Sequence, residues 1–285
     1  MAYKTLLSIA TSTRHLDATV TAAAALAVKM DAHLDLLALG VDRTQVGYSY
    51  IGGGAIALPI DTERAEEDAH AIADAITAAI SEQTPTLRWS CETAVSQIGA
   101  LTDLVAQRAR YADLVVLAQP FGPNLGPETE AVVEAALFEG AAPALVLPDN
   151  GRLATEPKSV VIAWNQSREA MASIRRALPL LKAAAKVDIT VIDPPVHGPE
   201  RSDPGGLLCQ MLVRHGVKAE VSVLARSLPR VSDVLLRHAM DQNADLANKT
   251  AESFKSRHYL EGVRHGLNLA LNAVPGLGAA SDAAG

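Results

Sequence analysis

The chain carries one plan twice, and that repeat constrains its fold more than any single motif. Residues 4–39 read as a short apolar strand within KTLLSIATSTR, an alanine-rich helix through AAALAVKM, then a second apolar strand, HLDLLAL. Residues 158–193 repeat the order with KSVVIAWNQSR, RRALPLLKAAA and VDITVI. A further matching block closes on YADLVVL (111–117) in the first half and on NADL (243–246) in the second. Strands alternate with helices, and the strands are continuous apolar runs. Such strands are buried on both faces, so each half is expected to hold a parallel sheet covered by helices on either side. Right-handed crossovers make each half doubly wound, with a ligand crevice where strand order reverses at the carboxyl ends of the strands. At 285 residues, two domains of about 140 residues each fit this plan.

In the first half the strands are Leu6–Ala10, Leu34–Leu39, Trp89–Ala94, Leu114–Leu117 and Ala144–Leu147. Helical stripes fall at Leu16, Val20, Ala23, Ala24 and Ala27, over Thr62–Gln83, at Ile98, Leu101, Val105 and Ala109, and over Glu128–Glu139, which Gly140 ends. Residues 43–59 are glycine-rich, fit neither period and read as a loop. The first domain is thus 1–148 and the linker 149–157, DNGRLATEP. The second domain, 158–246, has strands Val160–Ala163, Ile189–Ile192 and Glu220–Leu224. Its helices follow the stripe Met171, Ile174, Leu178 and Leu181 with a kink at Pro179, then 207–214, then Val231, Val234, Leu235 and His238. Beyond Leu246 the halves part. The tail, 247–285, shows no β-rich run; Ser253–Ala273 reads as a basic, weakly amphipathic helix with a frayed end. The second domain is therefore expected to lack its last two strands. Two origins fit the tail: a genuine variant whose helix covers the sheet edge, or an end left by a shifted reading frame.

Composition excludes several function classes. A net charge of −7 argues against a nucleic-acid surface, which needs clustered Lys and Arg. No apolar run approaches the ~18 residues of a membrane span. The opening MAYKTLLSIATST reads as a strand rather than a leader, so a soluble, cytoplasmic protein is expected. Cys91 and Cys209 are the only two cysteines and lie in different halves, giving neither a disulfide framework nor a metal spacing. The eight histidines are scattered, with no HExxH or Cys/His cluster. Gly52–Gly54 is not followed by a GK[ST] and so is not a P-loop. No GxSxG elbow occurs. We therefore expect no metal and no catalytic residue. Asp42 and Asp193, each after a second strand, read as strand-end turn residues at the ligand-binding edge. Trp164 ends strand one of the second half, where it either caps the core or stacks on a planar ligand.

The order strand–loop–helix–strand, then ADLVVL, a helix and AAPALVLP, resembles the universal stress protein family, and VVIAWNQSREAMASIRRALPLL resembles its tandem members. The resemblance covers about 1–246. It implies two tandem Rossmann-like domains of the adenine nucleotide alpha hydrolase-like kind, five strands each and paired as in a dimer, and a role in the stress response. ATP-binding members carry an acid after strand one and, after strand four, a signature of Gly, two residues, Gly, nine residues, Gly, then Ser or Thr. In the first half Ala10 stands for the acid, Ala118 and Phe121 for the first glycines, and Glu130–Ala131 for the Gly–Ser pair. A ring and a carboxylate oppose phosphate by bulk and by like charge. In the second half Asn165 takes the acid position, beside Ala163 and Trp164, and Ser167 is placed to cap the next helix. The glycine segment there is replaced by ANKTAESFKSRHY. The resemblance thus implies a non-enzymatic stress protein, without a cofactor, acting through a small ligand or an unidentified protein partner, with a homodimer as an assembly to expect. Ala163, Trp164, Asn165 and Ser167 are its candidate ligand-binding residues. The alternative is an ATP- or AMP-binding protein, or a slow ATPase, using the second half around Trp164 and Asn165.

Overall fold

A computed structural model describes residues 2–43, 50–51, 54–55, 62–81, 86–120, 125–147, 153, 157–194, 202–242, 244, 246–250 and 269–273. The first half is built from β1 (Thr5–Ala10), α1 (Leu16–Met30), β2 (His33–Asp42), α2 (Thr62–Ser81), β5 (Arg88–Gln97), α3 (Leu101–Ala109), β6 (Leu114–Ala118), α4 (Pro127–Glu134) and β7 (Ala144–Leu147). A π-helical turn, Ala135–Glu139, continues α4 to Gly140. Within the segment read as a loop, β3 (Tyr50–Ile51) and β4 (Gly54–Ala55) pair antiparallel; most of 43–59, including the middle of the glycine run, lies outside the described residues, as does most of the linker. The second half holds β8 (Ser159–Ala163), α5 (Arg168–Ala183), β9 (Lys186–Ile192), α6 (Gly206–Arg214), β10 (Ala219–Leu224), α7 (Val231–Asp241), β11 (Leu246–Thr250) and β12 (Leu269–Ala273).

The long strands join one ten-stranded sheet in the order β10-β9-β8-β11-β12-β7-β6-β1-β2-β5. In the first half β5, β2, β1, β6 and β7 are all parallel, the doubly wound arrangement that the apolar runs imply. Side chains alternate across β1 and β6, and both faces are buried. Leu6, Leu114 and Val116 pack with α1 and α2 residues such as Val20 and Ile72. Leu7, Ile9, Val115 and Leu117 pack with Val105, Val132 and Ala136 on the other face. Helices therefore cross from one face to the other between β5 and β6. Small side chains bring these helices close. Ala23 and Ala27 are fully buried, and a Cβ on Gly40 would collide with the Ala65 carbonyl of α2.

The second half has the same three-strand parallel core, β10-β9-β8. It lacks faithful copies of the last two strands, and here the expectation for the tail needs correcting. Two five-residue strands stand in their places. β11 pairs parallel with β8 over three residues, and β12 pairs antiparallel with β11 and parallel with β7. Leu269–Ala273 is therefore strand, not the end of a helix over Ser253–Ala273; 251–268 lie outside the described residues. An antiparallel neighbour needs no crossover connection, whereas a parallel fifth strand would. The pairing β7–β12 makes the strands β8 to β11 run opposite to those of the first half. The core nevertheless shares one face: α5 and α6 contribute Ile174, Leu181, Leu208 and Leu212 to the cluster that holds Val20 and Ile72. The Tyr3 hydroxyl donates to the Arg176 carbonyl at 2.7 Å, and the Arg176 guanidinium donates to the Ala141 carbonyl, tying the halves across that face. Burial, and then the charge of Asp113, push the Tyr3 phenol well above its ordinary pKa.

Candidate functional site

In the first half strand order reverses between β1 and β6, and a cavity of about 60 Å³ opens there. Ala10, Ser12, His15, Gln119 and Thr129 stand around it, over a floor of Ile76 from one face of the sheet and Val132 from the other. That volume takes a few water-sized groups, not the ~300 Å³ or more of a usual small-molecule site. Ala10 keeps the crevice open because its side chain is a single methyl.

The helix start beside this crevice already holds an anion. Gly126 caps α4, and Glu128 in its first turn folds back so closely that a Cβ on Gly126 would collide with the Glu128 carboxylate. Glu128 is 4 % exposed. Its Oε1 accepts from Arg43 Nη2 at 2.5 Å, and its Oε2 has no hydrogen-bond partner among the described residues. The bond to Glu128 raises the pKa of Arg43. A carboxylate at a helix N-terminus uses the same partial positive charge that would attract a phosphate, and it repels a second anion. The resemblance places Glu130 where the glycine signature ends; the carboxylate that folds over this helix start is that of Glu128, two residues earlier. Phe121 lies outside the described residues.

The candidate residues of the second half are placed differently from the first. With the strand starts aligned, Thr5 opposite His33 and Ser159 opposite Lys186, the position of Ala10 is taken by Trp164 rather than Asn165. The Trp164 backbone N–H donates to the Thr190 carbonyl at 2.9 Å, extending the β8 ladder by one residue. Its indole is 8 % exposed and belongs to the shared core cluster, so it fills the crevice that Ala10 leaves open. The indole Nε1 has no hydrogen-bond partner among the described residues. Ala163 ends β8, half-buried. Asn165 is exposed, and its Oδ1 accepts from the Ser167 backbone N–H at 3.1 Å. The Ser167 hydroxyl accepts from Ala170 N–H at 3.1 Å, the N-cap that the sequence suggested. Both oxygens thus serve their own turn, with Gln166 at φ 63° between them.

Sequence reasoning missed a buried cluster in the same half. Asp188 on β9 is fully buried. Its Oδ1 accepts from Ser222 at 2.5 Å, and its Oδ2 accepts from Thr190 at 2.7 Å and lies 2.6 Å from His238 Nε2. These are Ser, His and Asp in one cluster, but the carboxylate stands between the other two. Ser222 donates to Asp188 and not to His238, so the imidazole is not placed to take the serine proton, as nucleophilic catalysis requires. The only forward signal was His238 on the inward stripe of its helix.

Of the remaining candidates, Asp42 is buried at the end of β2, and Asp193 takes a left-handed turn conformation, φ 51°. Burial pushes the Cys91 and Cys209 thiols up, making both poor nucleophiles at neutral pH. Among the described residues no three His, Cys, Asp or Glu side chains gather as a metal site, and no helix is long and apolar enough to cross a membrane.

Solved structures include a clear likeness of fold. A universal stress protein from Archaeoglobus fulgidus DSM 4304 superimposes with a TM-score of 0.56 over 85% of this chain and 84% of its own, at 13% sequence identity. At that identity the likeness extends to the fold: doubly wound α/β, as the repeat implied. An oxidoreductase from Agrobacterium tumefaciens aligns over 77% of this chain and 65% of its own at 15% identity, with a TM-score of only 0.16. No family model and no curated protein matches the chain.

Proposed function

We propose that this chain is a tandem universal stress protein that acts without catalysis, through a small ligand or a protein partner rather than through ATP. The observation that carries this reading is Glu128. In a fold like that of a universal stress protein, the helix start beside the switch-point crevice is occupied by the chain's own carboxylate, held by Arg43. A triphosphate would have to displace a buried carboxylate, paired with a guanidinium that is itself exposed, to reach those amides, and would meet its like charge. The crevice volume of about 60 Å³ supports a small occupant in the first half. In the second half the indole of Trp164 fills the matching place, and Asn165 and Ser167 hold their own backbone, which disfavours the alternative of a nucleotide site or slow ATPase there. The same reading puts the protein in the cytoplasm, with a homodimer as its simplest assembly. Calorimetry with ATP and AMP tests it: no binding at micromolar affinity is expected, and micromolar binding of either nucleotide overturns the non-nucleotide reading.

A further inference from the structure

We propose that the cleft beside Asp35, on the α3 face of the first half, binds a small organic cation: an ammonium, imidazolium or guanidinium group on a body about the size of one ring. The cleft encloses about 200 Å³ between β1, β2, β5 and the end of α3, and Leu7, Asp35, Ser90, Glu92, Arg108 and Tyr111 line it.

The duplicated plan says what belongs there. Asp35 and Asp188 are each the third residue of strand two of their half, β2 and β9. Each carboxylate accepts from a serine on strand three, Ser90 at 2.7 Å and Ser222 at 2.5 Å. In the second half the other oxygen is satisfied twice, by the Thr190 hydroxyl and by the imidazole of His238 reaching in from α7. The first half provides neither. Leu37 replaces the threonine two residues on. His33 approaches the oxygen that Ser90 already uses, at 3.4 Å, and leaves Oδ2 without a partner among the described residues. The cation on α3 is turned away: Arg108 makes two bonds to Glu92, at 2.7 and 2.6 Å. Where one half inserts a ring nitrogen, the other keeps an open cleft over an equivalent carboxylate.

The lining fixes the chemistry. Arg108 and Glu92 balance each other, so Asp35, whose side chain is 44 % exposed, gives the cleft its negative sign. Leu7 and Leu37 offer an apolar floor for a ring. Tyr111, 81 % exposed, also lines the cleft and supplies an aromatic ring that a cation can pair with. An anion would meet the unbalanced charge of Asp35 and is disfavoured.

This proposal does not rest on the stress-protein reading, and calorimetry with ATP has no bearing on it. The test is a titration of the full, ¹⁵N-labelled chain with histamine, followed by amide shifts, with benzoate as a ring-sized anion. Saturable shifts confined to the segments around Ser90, Glu92 and Tyr111 are expected with histamine and none with benzoate. Asp35→Asn, nearly isosteric, weakens binding about tenfold or more, and Tyr111→Ala about threefold. Absence of saturable shifts, equal binding of benzoate, or binding unchanged by Asp35→Asn overturns the proposal.

Discussion

Replacing Trp164 separates packing from ligand binding as the reason for its presence. The side chain is 8 % exposed inside the core that both halves share. A buried tryptophan removes roughly 150–250 Å² from water, worth about 4–6 kcal/mol at 25 cal/mol per Å² as an upper bound. Trp164→Ala should therefore cost ~3–5 kcal/mol, the usual range for such truncations. Trp164→Phe loses only part of that area, about 1–2 kcal/mol. It also removes Nε1, a buried donor with no partner among the described residues, whose burial costs about 1–3 kcal/mol. The two terms offset, so Trp164→Phe should lie within about 1 kcal/mol of the parent chain. Guanidinium denaturation followed by circular dichroism measures both, with the m-value checked for a change in the denatured or native state. If Trp164→Phe costs as much as Trp164→Ala, the indole nitrogen has a partner that matters, and the packing account of the second-half crevice is wrong.

Two further outcomes follow from the buried polar groups. Asp188→Ala leaves Ser222, Thr190 and His238 without their shared acceptor and should cost ~3–5 kcal/mol in the same denaturation assay; a loss below about 1 kcal/mol would show that the cluster is not closed. Burial, and then the charge of Glu130, raise the Glu134 carboxyl above its ordinary pKa, so the folded state holds that proton more tightly than the unfolded one. Its contribution is present below the unfolded pKa and lost as pH rises through the raised folded value; Glu134→Gln should therefore raise Tm at neutral pH relative to the parent and lose that advantage in acid, as thermal melts across pH would show.

The parts of the fold that were legible in the sequence are those with local signals. The first half's five strands and four helices follow from apolar runs and 3.6-residue stripes, and the structure shifts their ends by a few residues; Leu34–Leu39 runs as His33–Asp42 and Trp89–Ala94 as Arg88–Gln97. The two tail strands were not legible because their strand character comes from neighbours. LANKT, in β11, is too polar for a core strand, and LALNA, in β12, fits a helix equally well; β8 and β7 supply the ladders that make them strands. The site divides the same way. Ser167 announces its cap within three residues. The Asp188 cluster joins residues 34 and 50 positions apart, on elements that meet only after the sheet has formed, so no spacing rule reaches it. Glu128 was obscured for another reason: the glycine signature fixes attention on 130 and 131, whereas the rotamer that folds back over Gly126 belongs to the second residue of the helix.

The two halves differ systematically at their equivalent places. At the switch-point crevice the first half carries Ala10 and a cavity, and the second carries Trp164 in the core. Behind strand two the first half carries Asp35 and a cleft, and the second carries Asp188 closed by His238. In both comparisons the second half supplies from its own chain the group that the first half leaves open. Filling an apolar space and pairing a buried carboxylate both stabilise, while an open cleft over a carboxylate forgoes that gain. The first half thus keeps both openings and the second closes both. The first half retains open space, and the second, whose last strands are short and whose fifth strand is reversed, gains stability from its own fillings. Any ligand of this chain should therefore be sought first beside Ala10 and Asp35, and only afterwards beside Trp164.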